Sequence, residues 1–156
     1  MALKAATTPL IITLTQGSAD AFVQGSVLTG LSGRQAYNVR AILIELPVAL
    51  NAISADNSLQ VSITRRSKTA IATLADSDTI FARAVSKDFA TSGSTLLDAV
   101  SVYVPDLEIP IVEETIYAQL DSTSTTLTNT VIVRMEVELD SMSDIDRLNL
   151  IARSLS

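Results

Sequence analysis

The sequence predicts an all-β protein: an antiparallel β-sandwich of about eight strands, of the jelly-roll type, with a short C-terminal helix. Apolar and polar residues alternate over many short segments, as strands with one buried face require. Ser and Thr supply 35 of the 156 residues, a composition that suits exposed strand faces and turns. Helical patterns do not alternate with the strands, which disfavours a parallel α/β sheet.

The N-terminal part of the chain predicts three strands. Leu10 to Gln16 is the first, and it ends at a turn that begins with Gly17. Phe22 to Thr29 is the second, and Gly25 within it predicts a β-bulge. Tyr37 to Leu46 is the third and the most apolar of the three.

The third predicted strand is apolar on both faces from Ala41 to Ile44. Such a strand is usually covered on both sides, or has one face against a neighbouring subunit. Ile42 and Ile44 are therefore candidate interface residues. Pro47 ends the strand, because proline cannot donate a hydrogen bond to a neighbouring strand.

The middle of the chain predicts a hairpin and a further strand. Leu59 to Thr64 alternates, and Thr69 to Leu74 follows it across the basic turn Arg65 to Lys68. Thr79 to Val85 comes next, after Asp76-Ser77-Asp78, which resembles the start of a calcium loop. The glycine and distal glutamate of such a loop are missing, so a turn is favoured over a weak Ca²⁺ site at the two aspartates.

The C-terminal part predicts three more strands and the helix. Leu96 to Val104 is followed by an extended, proline-punctuated segment. Thr115 to Leu120 and Thr130 to Leu139 flank a polar turn. Ser141 to Asp144 predicts a helix start, and apolar residues from Ile145 to Leu155 follow at helical spacing.

Length and composition restrict the function. We expect one domain over residues 9–156, preceded by a flexible segment over residues 1–8, and no transmembrane segment. The chain has no His and no Cys, which excludes histidine-dependent hydrolytic triads, thiolate chemistry and most zinc sites. We therefore predict no enzyme, no catalytic residues and no cofactor.

Two clusters of charged residues each allow a catalytic or binding role and a simpler role as charged surface, and the acidic cluster is the first. Glu136 and Glu138 share a strand face about 7 Å apart, a spacing open to glycoside hydrolysis, but a solvent-exposed or contact face shared with Arg134 is favoured. These three residues are candidate interface residues.

The basic cluster consists of Arg65, Arg66 and Lys68 and supports at most weak or indirect contact with nucleic acid. The net charge of −6 repels a polyanion on average. Charge is also uneven: residues 1–44 carry three basic residues and one acidic residue, whereas residues 98–147 carry eleven acidic and two basic. This asymmetry allows a subunit whose ends attract each other.

The strand count, the length and the lack of catalytic residues resemble small single-jelly-roll capsid proteins of viruses. The C-terminal third carries most of the resemblance, with the segment Glu113 to Ser122, a Ser/Thr loop that ends at Thr130, and the strand Val131 to Leu139. Many such coats carry a long basic N-terminal arm, whereas residues 1–8 hold only Lys4. The resemblance thus implies genome contact that is weak, that uses arginines of the folded surface, or that another layer screens.

Two classes of function follow. The first is a coat subunit that self-assembles into a symmetric, icosahedral virion shell, with copies of itself and other virion proteins as partners. The second is a non-catalytic β-sandwich binding module or a surface or appendage subunit, which would place the protein on an extracellular surface.

Overall fold

The computed structural model describes residues 6–18, 20–45, 57–87, 100–122, 129–141 and 144–155. These residues contain nine strands and one helix. The elements are β1 (Thr7–Thr15), β2 (Val23–Leu28), β3 (Gln35–Glu45), β4 (Asn57–Thr64), β5 (Thr79–Lys87), β6 (Val100–Tyr103), β7 (Pro110–Ile111), β8 (Thr115–Ser122), β9 (Thr130–Ser141) and α1 (Asp144–Leu155).

The strands form two antiparallel sheets. Sheet A has the order β1-β9-β3-β6, with the two-residue β7 also paired to β3, and sheet B has the order β2-β8-β4-β5. Apart from β7, the pairs are nested: β1 pairs β9, β2 pairs β8, β3 pairs β6 and β4 pairs β5. These nested pairs alternate between the two sheets, which is the topology of a jelly roll. The predicted fold class is confirmed.

The core lies between the sheets and is mainly aliphatic. Alternate residues of each long strand point into it, and β9 buries Val131, Val133, Met135 and Val137 completely. Removing a side chain of this size from water contributes roughly 1.5–3 kcal/mol, so the alternating pattern is the main source of stability.

The two sheets come together at both lateral edges. On one side, a Cβ at Gly25 would lie 2.8 Å from Ile12 Cγ2 and 3.1 Å from Leu14 Cδ2, so only glycine lets β2 approach β1 this closely. On the other side, the Phe81 ring of β5 lies 5.4 Å from the Tyr103 ring of β6. The pairing of β2 with β8 is unbroken, so the predicted bulge at Gly25 is wrong.

Two further expectations are corrected, and a third lies partly outside the described residues. The segment predicted as the strand Thr69 to Leu74 is irregular, because the chain between β4 and β5 crosses the outside of sheet B without pairing to it. Thr7 and Thr8, predicted to be flexible, pair with β9 as the first residues of β1. The predicted strand from Leu96 lies outside the described residues until β6 begins at Val100.

Candidate interaction surfaces

The outer face of sheet A carries an apolar row that crosses four strands. The register places Ile11 of β1 opposite Arg134 of β9, Arg134 opposite Leu43 of β3, and Leu43 opposite Val102 of β6. Ile11 is 47% exposed and Val102 is 61% exposed. This face therefore presents apolar side chains to solvent, with an arginine among them.

A shallow depression lies within this row. Ile132, one step along β9, joins Ile11 and Leu43 around a cavity of about 230 Å³, and Glu45 and Arg134 complete its lining. Its walls are thus aliphatic, with one charge of each sign beside them. We define the outer surface formed by these five residues and Val102 as the sheet A patch.

Ion pairs border the sheet A patch along β9. Arg134 Nε donates a hydrogen bond to Glu136, which also accepts one from Thr7 Oγ1 at 3.0 Å. Arg40 Nε donates to Glu138 Oε2 at 2.6 Å. This hydrogen bond and the negative charge of Glu138 raise the pKa of the Arg40 guanidinium above its ordinary value.

These ion pairs bear on the two interpretations of Glu136 and Glu138. Each carboxylate accepts a hydrogen bond from an arginine on an exposed sheet face, and neither side chain lines the depression. The general acid of a glycoside hydrolase lies in an apolar pocket, whereas these two carboxylates lie beside arginines on a sheet face. The geometry therefore fits a charged contact or solvent face.

The structure separates the predicted interface residues into two groups. Arg134, Glu136 and Glu138 lie on the outer face of sheet A, as the alternation of β9 indicates. Ile42 and Ile44 point the other way and are buried between the sheets. A side chain in the core is not available to another subunit, so these two residues do not lie on a contact surface in this fold, and Leu43 is the residue between them that faces outward.

The outer face of sheet B is covered by the chain itself. The segment 65–78, here called the covering segment, crosses this face, and beneath it Ser62, Thr64 and Gln119 are completely buried. Gln119 accepts a hydrogen bond from Ser62 Oγ at 2.7 Å and donates to Thr64 Oγ1 at 2.8 Å and to Gln24 Oε1 at 2.9 Å. Its amide oxygen and both N–H groups are thereby satisfied.

The covering segment is anchored at both ends. Arg65 Nη1 lies 3.0 Å from Glu113 Oε2, and both side chains are mostly buried. Lys68 Nζ lies 2.9 Å from Asp78 Oδ1, and Arg65 N donates to the Asp78 carbonyl. Two of the three side chains of the predicted basic cluster are therefore already paired with carboxylates.

The same contacts bear on the possible calcium site. Asp78 is paired with Lys68, and Asp76 Oδ2 accepts a hydrogen bond from Thr73 N at 3.4 Å, as in a turn. Within the described ranges, no group of three or more acidic, His or Cys residues is placed to hold a metal ion. In the same part of the chain, no helix has the length and apolar character needed to cross a membrane.

The sequence reasoning missed Gln119, Leu43 and Ile11. Gln119 occupies a position that alternation assigns to the outside of a strand, and its burial depends on a segment more than forty residues away in the chain. The sequence pattern places Leu43 and Ile11 in strands but does not say which face of the sheet each one occupies. A signal did exist for Ile11, since it is apolar at the exposed positions of an alternating strand.

Comparison with solved structures identifies the fold. The chain is similar to VP1 of Merkel cell polyomavirus, solved in complex with GD1a oligosaccharide, with a TM-score of 0.50 and 8% identity over 89% of this chain and 97% of that one. At that identity the likeness establishes the fold alone. The predicted resemblance to viral jelly-roll capsid proteins as a class is confirmed at the level of the fold.

Two weaker similarities accompany it. A Desmodium yellow mottle tymovirus structure matches at a TM-score of 0.33 and 10% identity, covering 92% of this chain and 94% of that one. Dimeric latent PorU of Porphyromonas gingivalis matches at 0.35 and 10% identity, covering 88% of this chain and 14% of that one. No family model matches the sequence, and a search of curated proteins finds no match.

Proposed function

We propose that this chain is a structural, non-enzymatic subunit of a viral shell that assembles from copies of itself. The observation that supports this most directly is the sheet A patch, an exposed apolar row on a regular sheet face. The fold that the chain shares with a viral capsid protein also supports this proposal.

The sheet A patch has the chemistry of a contact surface. Contiguous exposed apolar side chains bordered by polar ones mark interaction sites, because burying them removes apolar area from water. Arg134 and Glu45 lie beside this apolar area and provide both signs of charge. A second copy can therefore meet the surface with opposite charges, as symmetric assemblies require.

The charge of the protein restricts its other partners. Its net charge is −6, and Arg65 and Lys68 are engaged by Glu113 and Asp78. We infer that contact with nucleic acid is weak or indirect and that the remaining partners are other proteins of the virion, where the protein is located. A symmetric, icosahedral shell is the arrangement we expect for such a subunit.

The size of the purified protein tests the proposal. Sedimentation and electron microscopy over a range of salt and pH are expected to show closed particles of many copies. A stable monomer under all conditions would overturn the proposal and favour a β-sandwich binding module. Leu43→Asp, which places a charge within the sheet A patch, is expected to reduce particle formation while the folded spectrum is retained.

A further inference from the structure

Each of the two sheets has two lateral edges. Among the described strands, β1 ends sheet A on one side and β6 and β7 end it on the other, while β2 and β5 end sheet B. An edge strand presents backbone N–H and C=O groups that no neighbouring strand satisfies, so it can pair with a strand of another molecule. Proteins usually protect such edges with a proline, with a charge that points inward, or by covering them. The edges of this chain differ in that protection.

Three of these edges are protected. Pro9 lies within β1 and cannot donate a hydrogen bond to an added strand. Arg83 of β5 pairs in register with Val61, which faces the core, so Arg83 is an exposed charge on the inner side of an edge strand. Gly25 brings β2 against Ile12 of β1, so β2 lies close beside the other sheet. A proline, an inward charge and a close contact between sheets therefore oppose strand addition at these edges.

The edge at β6 lacks this protection. β6 contains no proline and no charged residue, and among the described strands it pairs only with β3. Val102 is 61% exposed, and Val104, the residue after the strand, is 64% exposed. Within the described part of the chain, this edge therefore combines open backbone groups with exposed β-branched side chains, a combination that favours pairing with another strand.

Contacts within the subunit hold β6 in place. Its register with β3 places Val102 opposite Leu43 and Tyr103 opposite Ile42. The Tyr103 ring also lies 5.4 Å from the Phe81 ring of β5. An added strand therefore meets an edge that already has strand conformation, so little loss of conformational entropy on that edge opposes pairing.

We propose that β6 of one copy of this chain pairs antiparallel with β6 of a second copy, with Val102 of each copy opposite Val102 of the other. The two copies are then related by a two-fold axis, and sheet A continues through both subunits. The contact rests on the proposed function for its role, because it specifies one way in which the copies that form the shell meet.

The register follows from the limits of the unprotected stretch. In an antiparallel pair with two-fold symmetry, the residue at the axis lies opposite its own copy. Residues 100–104 contain no proline and no charge, they are followed by Pro105, and Val102 is at their centre. An axis at Val102 uses this whole stretch, whereas an axis at Tyr103 would place Pro105 opposite residue 101 and remove a donor from the ladder.

The same register joins the sheet A patches of the two copies. Val102 is the member of the patch that lies on the edge strand, opposite Leu43. Pairing at Val102 makes the two apolar rows continuous on one outer face, where exposed valines leave water together. The two Arg134 side chains lie five strand spacings apart, about 24 Å, so salt screens their repulsion.

Backbone and side chains together select the partner. The open backbone groups of β6 require an extended chain, and the exposed valines require one that is apolar on the same face. β6 of a second copy has both properties, and the absence of charge in it means that no repulsion opposes the pairing.

Cysteine crosslinking tests the register, because the chain has no cysteine of its own. In the proposed pair, the Cα atoms of the two copies of residue 102 lie about 5 Å apart, within the range that a disulfide bridges. Val102→Cys is therefore expected to form a covalent dimer under mild oxidation. Val104→Cys is the matched control, since this residue is similarly exposed but its two copies lie four residues apart along the strand, about 13 Å, which is too far for a disulfide.

A charge exchange tests the two-fold symmetry. Val102→Lys and Val102→Glu each place like charges opposite one another, and each is expected to weaken association through β6 about tenfold. A one-to-one mixture of the two variants brings opposite charges together and is expected to recover most of the lost affinity. Leu28→Lys, at an exposed leucine of the edge strand β2, is the control and should leave this association unchanged. Unchanged melting temperatures verify that the variants fold.

The outcomes separate this contact from the function on which it rests. If particles form but Val102→Cys crosslinks no more than Val104→Cys, the contact is wrong while the shell proposal stands. If Val102→Cys crosslinks and the protein stops at dimers, the contact is correct and the shell proposal fails. If the protein stays a monomer and no crosslink forms, both fail. A mixture of the Lys and Glu variants that recovers no affinity would overturn the two-fold arrangement.

Discussion

The two outer faces of the sandwich differ in how they are completed. On sheet B, the covering segment buries Gln119, and side chains of β4 and β2 satisfy it with three hydrogen bonds. On sheet A, the row contains exposed Ile11 and Val102 and half-buried Leu43, and no described segment of the chain covers it. A polar surface is thus covered and an apolar one is exposed, the reverse of what solubility alone would favour.

This contrast indicates two purposes for the two faces. Buried hydrogen bonds have strict geometry, so the face of sheet B holds its covering segment in one position. Apolar contacts are less directional, so the open face of sheet A imposes no such fixed geometry. The covered face of sheet B thus stabilises the fold, whereas the open face of sheet A fits the contact surface proposed above.

The largest effect on stability is expected from Gln119→Ala. This substitution removes three buried hydrogen bonds at once, those to Ser62, Thr64 and Gln24, and at about 1 kcal/mol for each bond it lowers the free energy of unfolding by about 3 kcal/mol. Urea denaturation measures the loss. Gln60→Ala, at an exposed glutamine of the same strand face as Ser62, is the control and should change stability by less than about 0.5 kcal/mol. A loss below about 1 kcal/mol for Gln119→Ala would contradict the covered-face interpretation.

A smaller effect is expected from Gly25→Ala, which acts at the edge shared by both sheets. The added methyl would lie 2.8 Å from the branched side chain of Ile12, and relieving that overlap is expected to lower stability by about 1–2 kcal/mol. Thermal unfolding measures the change. Gly17→Ala is the matched control, since a Cβ there meets nothing within 4 Å, and its melting temperature should be equal to or above that of the wild type. Equal behaviour of the two variants would refute close packing at Gly25.

The smallest effect on stability is expected from Arg134→Glu on the open face. Its ion pair with Glu136 is exposed, so the free energy of unfolding should change by less than about 0.5 kcal/mol. Particle formation should be impaired strongly, because the charge pattern of the sheet A patch is reversed there. Glu136→Lys should act in the same way. Sedimentation measures particle formation and thermal melting measures stability, so the two measurements separate the two effects. Arg66→Glu on the covering segment is the control with an equal change of charge.

Normal assembly by Arg134→Glu would place this part of sheet A in solvent and remove it from the contact surface. Impaired assembly accompanied by an equal loss of stability would also contradict the proposal, because the charge would then serve folding.

Local pattern was sufficient for most strands of the fold and for part of the surface. Alternation in β9 located Val131 and Met135 in the core and Arg134 outside it, because a strand reports its two faces directly. Alternation was insufficient for β3, because both faces of that strand are apolar and the pattern does not say which one is inside. Ile42 was therefore predicted at an interface, although it is buried. Alternation was also insufficient for Thr69 to Leu74, whose apolar residues pack over sheet B instead of pairing with it.

The sequence by itself determined the fold class, most of the strands and the absence of histidine and cysteine side chains. These properties depend on local periodicity and on composition. The tertiary structure decided that Gln119 is buried, that Leu43 is the outward residue of β3, and that Gly25 lies against Ile12. Each of these depends on a segment distant in the chain, and the side-chain alternation of a single strand carries no information about what covers either face.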